Sequence, residues 1–155
     1  MKHFLLFLLM SSTSFIAVGQ PIDFNKKKFI KIFYEKPNKD TYAQWITCNH
    51  ESAYFKNDTI NMFNYPSVEN YDCCTTMTWN LFHKSNEYTI KEGYQCYEPG
   101  RTIETHKLGS VIIIENEAPS LFILFKERNK VMYKYRILSL IKKGDGKYQI
   151  TLIRL

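Results

Sequence analysis

Four cysteines are the residues of this 155-residue chain that are best placed to do chemistry: Cys48, Cys73, Cys74 and Cys96. An even number of cysteines favours disulfides when a chain meets an oxidising compartment. A bond between the adjacent Cys73 and Cys74 is strained, which leaves two ways of pairing all four. The spacing is not the C-x-x-C of a structural zinc site, and each thiol has a partner, so we expect neither a metal site nor a catalytic cysteine.

The segments 73–82 and 87–97 predict a β-hairpin across a turn at 83–86. Apolar and polar residues alternate along the first segment. Pairing Phe82 with Glu87 puts Trp79 opposite Ile90, which collects the apolar partners on one face.

This register also places Cys73 opposite Cys96, and it therefore favours Cys73–Cys96 together with Cys48–Cys74. A shift of one residue would favour Cys74–Cys96 instead, so the second pairing stays open.

Four residues of the hairpin are candidates for a ligand site: Trp79, Tyr88, Glu92 and Tyr94. Alternation directs Tyr88, Glu92 and Tyr94 to the same face of their strand. A buried carboxylate is costly unless it is paired, so Glu92 is either a polar anchor inside a cavity or is turned outward by twist or a bulge. The aromatic side chains either line a pocket or form a packed core.

No catalytic or cofactor motif accompanies these residues. The G-x-S-x-G, G-x-G-x-x-G, P-loop and H-E-x-x-H patterns are absent from the sequence, and its histidines are scattered. A hydrolase needs a nucleophile, a base and an oxyanion site close together, and we can nominate none. We therefore expect a protein that is not an enzyme and that has no cofactor and no metal.

Strand-favouring residues dominate the chain after its first nineteen residues, with eleven Tyr and eleven Phe in the whole sequence. Strands are predicted at 28–35, 41–48, 52–55, 59–64, 73–82, 87–97, 102–105, 110–115, 120–126, 131–141 and 147–153. An antiparallel meander of this kind must hide its edges, so we predict an all-β fold that closes into a barrel of about eight to ten strands. A two-sheet β-sandwich is the alternative.

Residues 1–19 have the parts of a signal peptide. Lys2 supplies the positive start, Phe4–Met10 is the apolar core, and Ala17 and Gly19 are small residues at a cleavage position. The apolar run is short for a membrane span of about 20 residues, so cleavage is favoured over a retained anchor. We expect residues 20–155 to form a single disulfide-stapled domain that is periplasmic or secreted, with no transmembrane span after cleavage.

The formal net charge of +6 is uneven along the chain. Residues 20–100 hold nine basic and ten acidic side chains, whereas residues 101–155 hold eleven basic and five acidic. The basic excess indicates either an anionic partner, such as lipid headgroups or polysaccharide, or lysines that keep strand faces from associating. A nucleic acid partner is not expected for an exported domain without a binding module.

The arrangement Cys73-Cys74 … Trp79 … Cys96, together with the signal peptide and the meander, resembles the small secreted lipocalin-like barrels. Similar Cys-Cys hairpins occur in exported proteins of Gram-negative bacteria, especially Bacteroidota, whose Lys, Asn, Ile, Tyr and Phe bias this chain shares. The motif covers residues 73–99. Where lipocalins begin with G-x-W, this chain has Tyr42-Ala43-Gln44-Trp45. The resemblance implies an exported barrel that binds a small ligand.

Two functions follow from these expectations. The first is a non-catalytic barrel that holds a small apolar or amphipathic ligand against Trp79, Tyr88, Glu92 and Tyr94. The alternative is an envelope or secreted protein-interaction module, such as an inhibitor or an accessory protein, with a filled barrel and active loops at 64–72 and 97–109. The interior volume separates them, because small-molecule pockets measure about 300 to 1,000 Å³.

Overall fold

The computed structural model describes residues 25–36, 42–66, 73–96, 101–104, 110–117 and 119–155. Antiparallel strands dominate these residues, and the predicted all-β class is confirmed. The elements are α1 (Lys26–Phe33), β1 (Ala43–Cys48), α2 (Ala53–Lys56), β2 (Thr59–Phe63), β3 (Thr75–Phe82), β4 (Glu87–Tyr94), β5 (Arg101–Glu104), β6 (Ser110–Glu117), β7 (Ser120–Glu127), β8 (Lys130–Gly144) and β9 (Lys147–Arg154). The predicted signal peptide at 1–19 lies outside the described residues, as does most of both predicted active loops, and these stay predictions.

Eight of the strands form a closed barrel, in the order β1-β3-β4-β6-β7-β8-β9-β2 and back to β1. The short strand β5 lies outside this ring and pairs with β4. Every pairing is antiparallel. The barrel is thus confirmed over the β-sandwich. Its strand order departs from chain order at one place, because β1 lies between β2 and β3.

Two pairings around the ring are much shorter than the others. The β1–β2 pairing joins only Ile46 and Phe63, and the β4–β6 pairing joins only Glu87 and Val111. β5 and β6 share one edge of β4 at successive positions, because β5 pairs with its last four residues. In the described part of the chain, the barrel therefore consists of two strand arcs, β2-β9-β8-β7-β6 and β1-β3-β4, which meet at two narrow seams.

Turn chemistry explains the tight hairpins of the larger arc. β8 and β9 are joined at the predicted Gly144-Asp145-Gly146 turn, where Gly146 has a φ of 64°. Arg128 and Asn129, between β7 and β8, also have positive φ values of 46° and 68°. Two successive residues with positive φ give a hairpin the twist of its flanking strands.

Two segments that we predicted as strands are helical, so the strands at 28–35 and 52–55 were wrong. Helix α1 begins after Asn25, whose side-chain oxygen accepts a hydrogen bond from the Lys27 backbone N–H at 2.9 Å. Phe29, Ile32 and Phe33 are buried at helical spacing. The other predicted strands are present, with ends displaced by at most three residues.

The two disulfides join Cys48 to Cys73 and Cys74 to Cys96, with Cα–Cα distances of 5.7 and 4.9 Å. The favoured pairing, Cys73–Cys96 with Cys48–Cys74, was therefore wrong, and the alternative that we left open is the one formed.

The hairpin register behind that expectation is nevertheless correct, since Phe82 pairs with Glu87 and Trp79 with Ile90. The error came from extending this ladder past its last pair, Thr75 and Tyr94. The Gln95 N–H bonds to the Cys74 carbonyl, and the Asn49 N–H bonds to the Thr75 carbonyl, each at 2.7 Å. The Cys-Cys segment thus lies between the ends of β1 and β4, so each cysteine bonds to a different neighbour.

Candidate functional site

The barrel interior around the predicted ligand residues is occupied by aromatic side chains. Trp79, Tyr88, Phe125 and Tyr135 are all buried, with at most 1% of each exposed. The Phe125 ring centroid lies 4.6 Å from that of Trp79 and 4.5 Å from that of Tyr88. The Trp79 and Tyr135 centroids are 5.3 Å apart. These are the separations of packed aromatic pairs, so the space beside Trp79 and Tyr88 is filled by protein.

Helix α2 adds Tyr54 to this cluster. The Trp79 indole N–H donates to the Tyr54 hydroxyl at 3.0 Å, and the Tyr54 and Tyr135 hydroxyls lie 2.9 Å apart. The Arg154 guanidinium donates to the Tyr54 and Phe55 carbonyls and lies over the Tyr54 ring. Burial raises the pKa of Tyr54 and of Tyr135, so both phenols are neutral at physiological pH.

Glu92 is half-buried and has a hydrogen-bond partner. The Asn49 side-chain amide donates to the Glu92 carboxylate at 2.7 Å, and the Asn49 side-chain oxygen accepts from the Tyr54 backbone N–H at 2.9 Å. Glu92 is thus connected to Trp79 through Asn49 and Tyr54. Neither bridging residue was singled out in the sequence, where nothing marks Asn49 except its position directly after a strand.

Tyr94 is the last residue of β4, the strand that also holds Tyr88 and Glu92. It is half-buried and borders a depression of about 610 Å³ on the outer face of β1, β3 and β4. The polar side chains of this face bond to one another: Gln44 donates to Asn80, and Asn80 donates to Thr89, each at 3.2 Å. The structure therefore packs Trp79 and Tyr88 against the same Phe125 ring, links Glu92 to Trp79, and places Tyr94 at the border of a surface depression.

A groove of about 770 Å³ lies between α1 and the turn that joins β3 to β4. Ile30, Tyr34 and Phe82, all half-buried, supply its apolar surface. The His83 ring packs edge-on against Tyr34, with the centroids 4.8 Å apart.

Three exposed lysines, Lys31, Lys36 and Lys84, border the same groove. No acidic side chain lines it among the residues that the structure describes. The sequence did not reveal this site because α1 was predicted as a strand. The strand prediction hid that Tyr34, directly after α1, lies one helical turn from Ile30, to whose carbonyl its N–H bonds.

Metal-binding groups are not apparent in the described ranges: no cluster of three or more His, Cys, Asp or Glu side chains occurs there. Over the same ranges, no helix is long and apolar enough to cross a bilayer. His106, one of the scattered histidines, lies outside the described residues.

In comparison with known proteins, no family model matches the chain, and neither a curated protein nor a solved structure matches it.

Proposed function

We propose that this protein is an exported, non-catalytic β-barrel that binds its partner on its outer surface, while its interior serves stability. The observation that carries the proposal is the packed interior, in which the Phe125 ring contacts the rings of both Trp79 and Tyr88. This function is the interaction-module alternative of the sequence analysis.

The energetic cost of emptying the interior supports this choice. A ligand beside Trp79 would have to displace side chains such as Phe125 or Tyr135, both of which are fully buried. Removing one large aromatic side chain from a core costs about 3 to 5 kcal/mol. Binding to a preformed surface carries no such penalty.

Export is supported by the two disulfides, because disulfides persist mainly in oxidising compartments. The predicted signal peptide agrees with them. The buried phenol hydroxyls of Tyr54 and Tyr135 offer no general base. Tyr54 and Tyr135 bond to each other and are held neutral by burial, so neither is poised as a base.

The interior-ligand function keeps Trp79, Tyr88, Glu92 and Tyr94 as its candidate residues, and one experiment separates it from our proposal. The oxidised mature protein is exposed to dissolved xenon and to the neutral dye N-phenyl-1-naphthylamine. We expect no saturable uptake into the interior, so neither xenon nor the dye should shift the resonances of Trp79 and Tyr88.

Phe125→Ala serves as the positive control, after circular dichroism has shown that it folds, because an apolar cavity of that kind takes up xenon. Saturable uptake by the unaltered protein, with resonance shifts at Trp79 and Tyr88, would show that the interior is a ligand site and would refute exterior binding.

A further inference from the structure

We propose that the groove between α1 and the β3–β4 turn binds a small anionic amphiphile, meaning a carboxylate or similar anion with an aliphatic or aromatic body. This inference rests on the proposed function, because it assigns a ligand class to the outer surface. It concerns a site distinct from the predicted interior residues.

The apolar surface of the groove explains why the proposed ligand has an aliphatic or aromatic body. Ile30, Tyr34 and Phe82 are only partly covered by the rest of the protein and face a space of about 770 Å³. This volume falls within the range of about 300 to 1,000 Å³ that is usual for small-molecule sites. An aliphatic chain or an aromatic ring placed there would be removed from water on its protein side.

The lysines around the groove explain why the proposed ligand is negatively charged. Lys31 and Lys36 come from α1 and the residues that follow it, whereas Lys84 comes from the opposite turn. None of the three has an ion-pair or hydrogen-bond partner in the described part of the chain. An anion in the groove would therefore meet positive charge from both walls without breaking an existing ion pair.

Glu35 is the one acidic residue among the described residues 25–36, and its carboxylate points away from the groove. Glu35 has a carboxylate oxygen 4.0 Å from the position that a Cβ on Gly146 would take, which places it beside the β8–β9 turn. A second copy of this chain is a poor occupant, because two facing grooves would bring like charges together. A small anion is the occupant that the charges favour.

The wall formed by α1 is held in place before any ligand arrives. The Trp45 indole N–H donates to the Phe33 carbonyl at 2.9 Å, and the two rings stack with centroids 5.7 Å apart. This bond also occupies a carbonyl at the helix C-terminus, whose partial negative charge would otherwise oppose an anion. Binding to a preformed groove loses little conformational entropy.

The test uses the oxidised mature protein and three probes below their micelle concentrations: decanoate, naphthalene-2-sulfonate and decyltrimethylammonium. Amide resonances are followed by NMR during each titration. We expect both anions to shift the resonances of residues 30–36 and 82–85, and we expect the cation to bind more weakly.

Two charge-reversal variants then locate the binding. K31E/K84E should weaken decanoate binding about tenfold or more, since each reversal replaces an attraction with a repulsion. The matched control K130E/K143E changes the net charge equally at two exposed lysines outside the groove, and it should leave the affinity within about twofold. Circular dichroism and the Tm confirm that both variants fold.

The outcomes that would overturn the groove alone differ from the outcome that would also refute exterior binding. Equal weakening by both variants, or equal binding of the cation, would overturn the assigned anion site. Absence of any shift with either anion would also overturn it and would leave exterior binding standing. Anion shifts at Trp79 and Tyr88 that K31E/K84E does not change would refute both the groove and exterior binding.

Discussion

Tyr54 is the residue on which the interior polar contacts converge. Its hydroxyl accepts from Trp79 and contacts Tyr135, while its backbone N–H bonds to Asn49, which in turn holds Glu92. A fully buried indole N–H is costly to leave without an acceptor. The interior is therefore specified by hydrogen bonds as well as by packing.

Tyr54→Phe should lower the free energy of unfolding by about 1 to 3 kcal/mol, because it leaves the Trp79 N–H without an acceptor. Urea denaturation followed by circular dichroism measures the loss. Tyr42→Phe is the control, since Tyr42 is only partly buried, and it should change stability by at most about 0.5 kcal/mol. Equal effects of the two variants would contradict a special role of the Tyr54 hydroxyl.

Alkaline pH should destabilise the fold. Burial raises the pKa of Tyr34 and of Tyr88 to about 12 from the usual 10.0. The folded protein thus holds these protons more tightly than the unfolded chain, which ionises first as the pH rises. Below about pH 10 the tyrosines leave stability unchanged, and between about pH 10 and 12 the free energy of unfolding should fall.

Urea midpoints measured across this pH window test the expectation. Tyr88→Phe should make the decline shallower, because phenylalanine does not ionise. A rise in stability across the window would show that the assigned direction is wrong.

Which strand residues point inward could be predicted, because the period of two fixes the face once a strand is recognised. Trp79 and Tyr88 are both buried, as alternation requires. Tyr54 and Asn49 could not be found in this way. They enter the interior from the connection after β1, where no period relates sequence position to direction.

At the scale of elements, there is a physical reason why α1 and α2 were predicted as strands. α1 has eight residues and α2 only four, which is too short for a helical period to stand out. Their Phe, Ile and Tyr content matches strand preferences, and tertiary burial of Phe29 and Phe33 decides the outcome. The strands were predicted correctly because turn-forming residues mark the ends of most of them.

The two disulfides covalently link the ends of β1, β3 and β4. Each should stabilise the fold appreciably. They close loops with sequence separations of 25 and 22, for which chain entropy gives about 3 kcal/mol each. Cys48→Ser with Cys73→Ser, and separately Cys74→Ser with Cys96→Ser, should each lower the free energy of unfolding by roughly that amount in urea.

Non-reducing peptide mapping of the unaltered protein supplies the companion measurement. It should recover Cys48 linked to Cys73 and Cys74 linked to Cys96. Recovery of Cys73 linked to Cys96 would contradict the strand ends described above.

At the scale of the whole molecule, barrel closure could be predicted because a set of antiparallel strands must hide its edges. The strand order could not, since nothing local to β2 shows that it pairs with β9 rather than with β3. Thr59 pairs with Ile153, far along the chain. Long-range pairings of this kind leave no signal within a single segment.

The narrow seams should make protection from hydrogen exchange uneven. The Ile112 N–H donates to the Asn86 carbonyl at 2.8 Å across the β4–β6 seam. The one strand pair in this seam joins Glu87 and Val111. The Ile150 amide lies in the longer β2–β9 ladder, which has five consecutive strand pairs. We expect Ile112 to exchange at least about tenfold faster than Ile150, because narrow contacts open locally at lower free energy.

Amide exchange monitored by NMR on the oxidised protein measures this difference. The Leu152 amide, in the same ladder as Ile150, is the internal reference for slow exchange. Equal protection of Ile112 and Leu152 would mean that the barrel opens as a single cooperative unit.

The pairing of β2 with β9 also fixes a temporal order. A nascent chain leaves the ribosome N-terminus first, so β2 must wait for about ninety further residues before its long-range partner exists. The cysteines up to position 96 emerge well before that partner. The two disulfides can thus form while the barrel is still incomplete. The barrel closes only when its last strand, the eight-residue β9, has been synthesised.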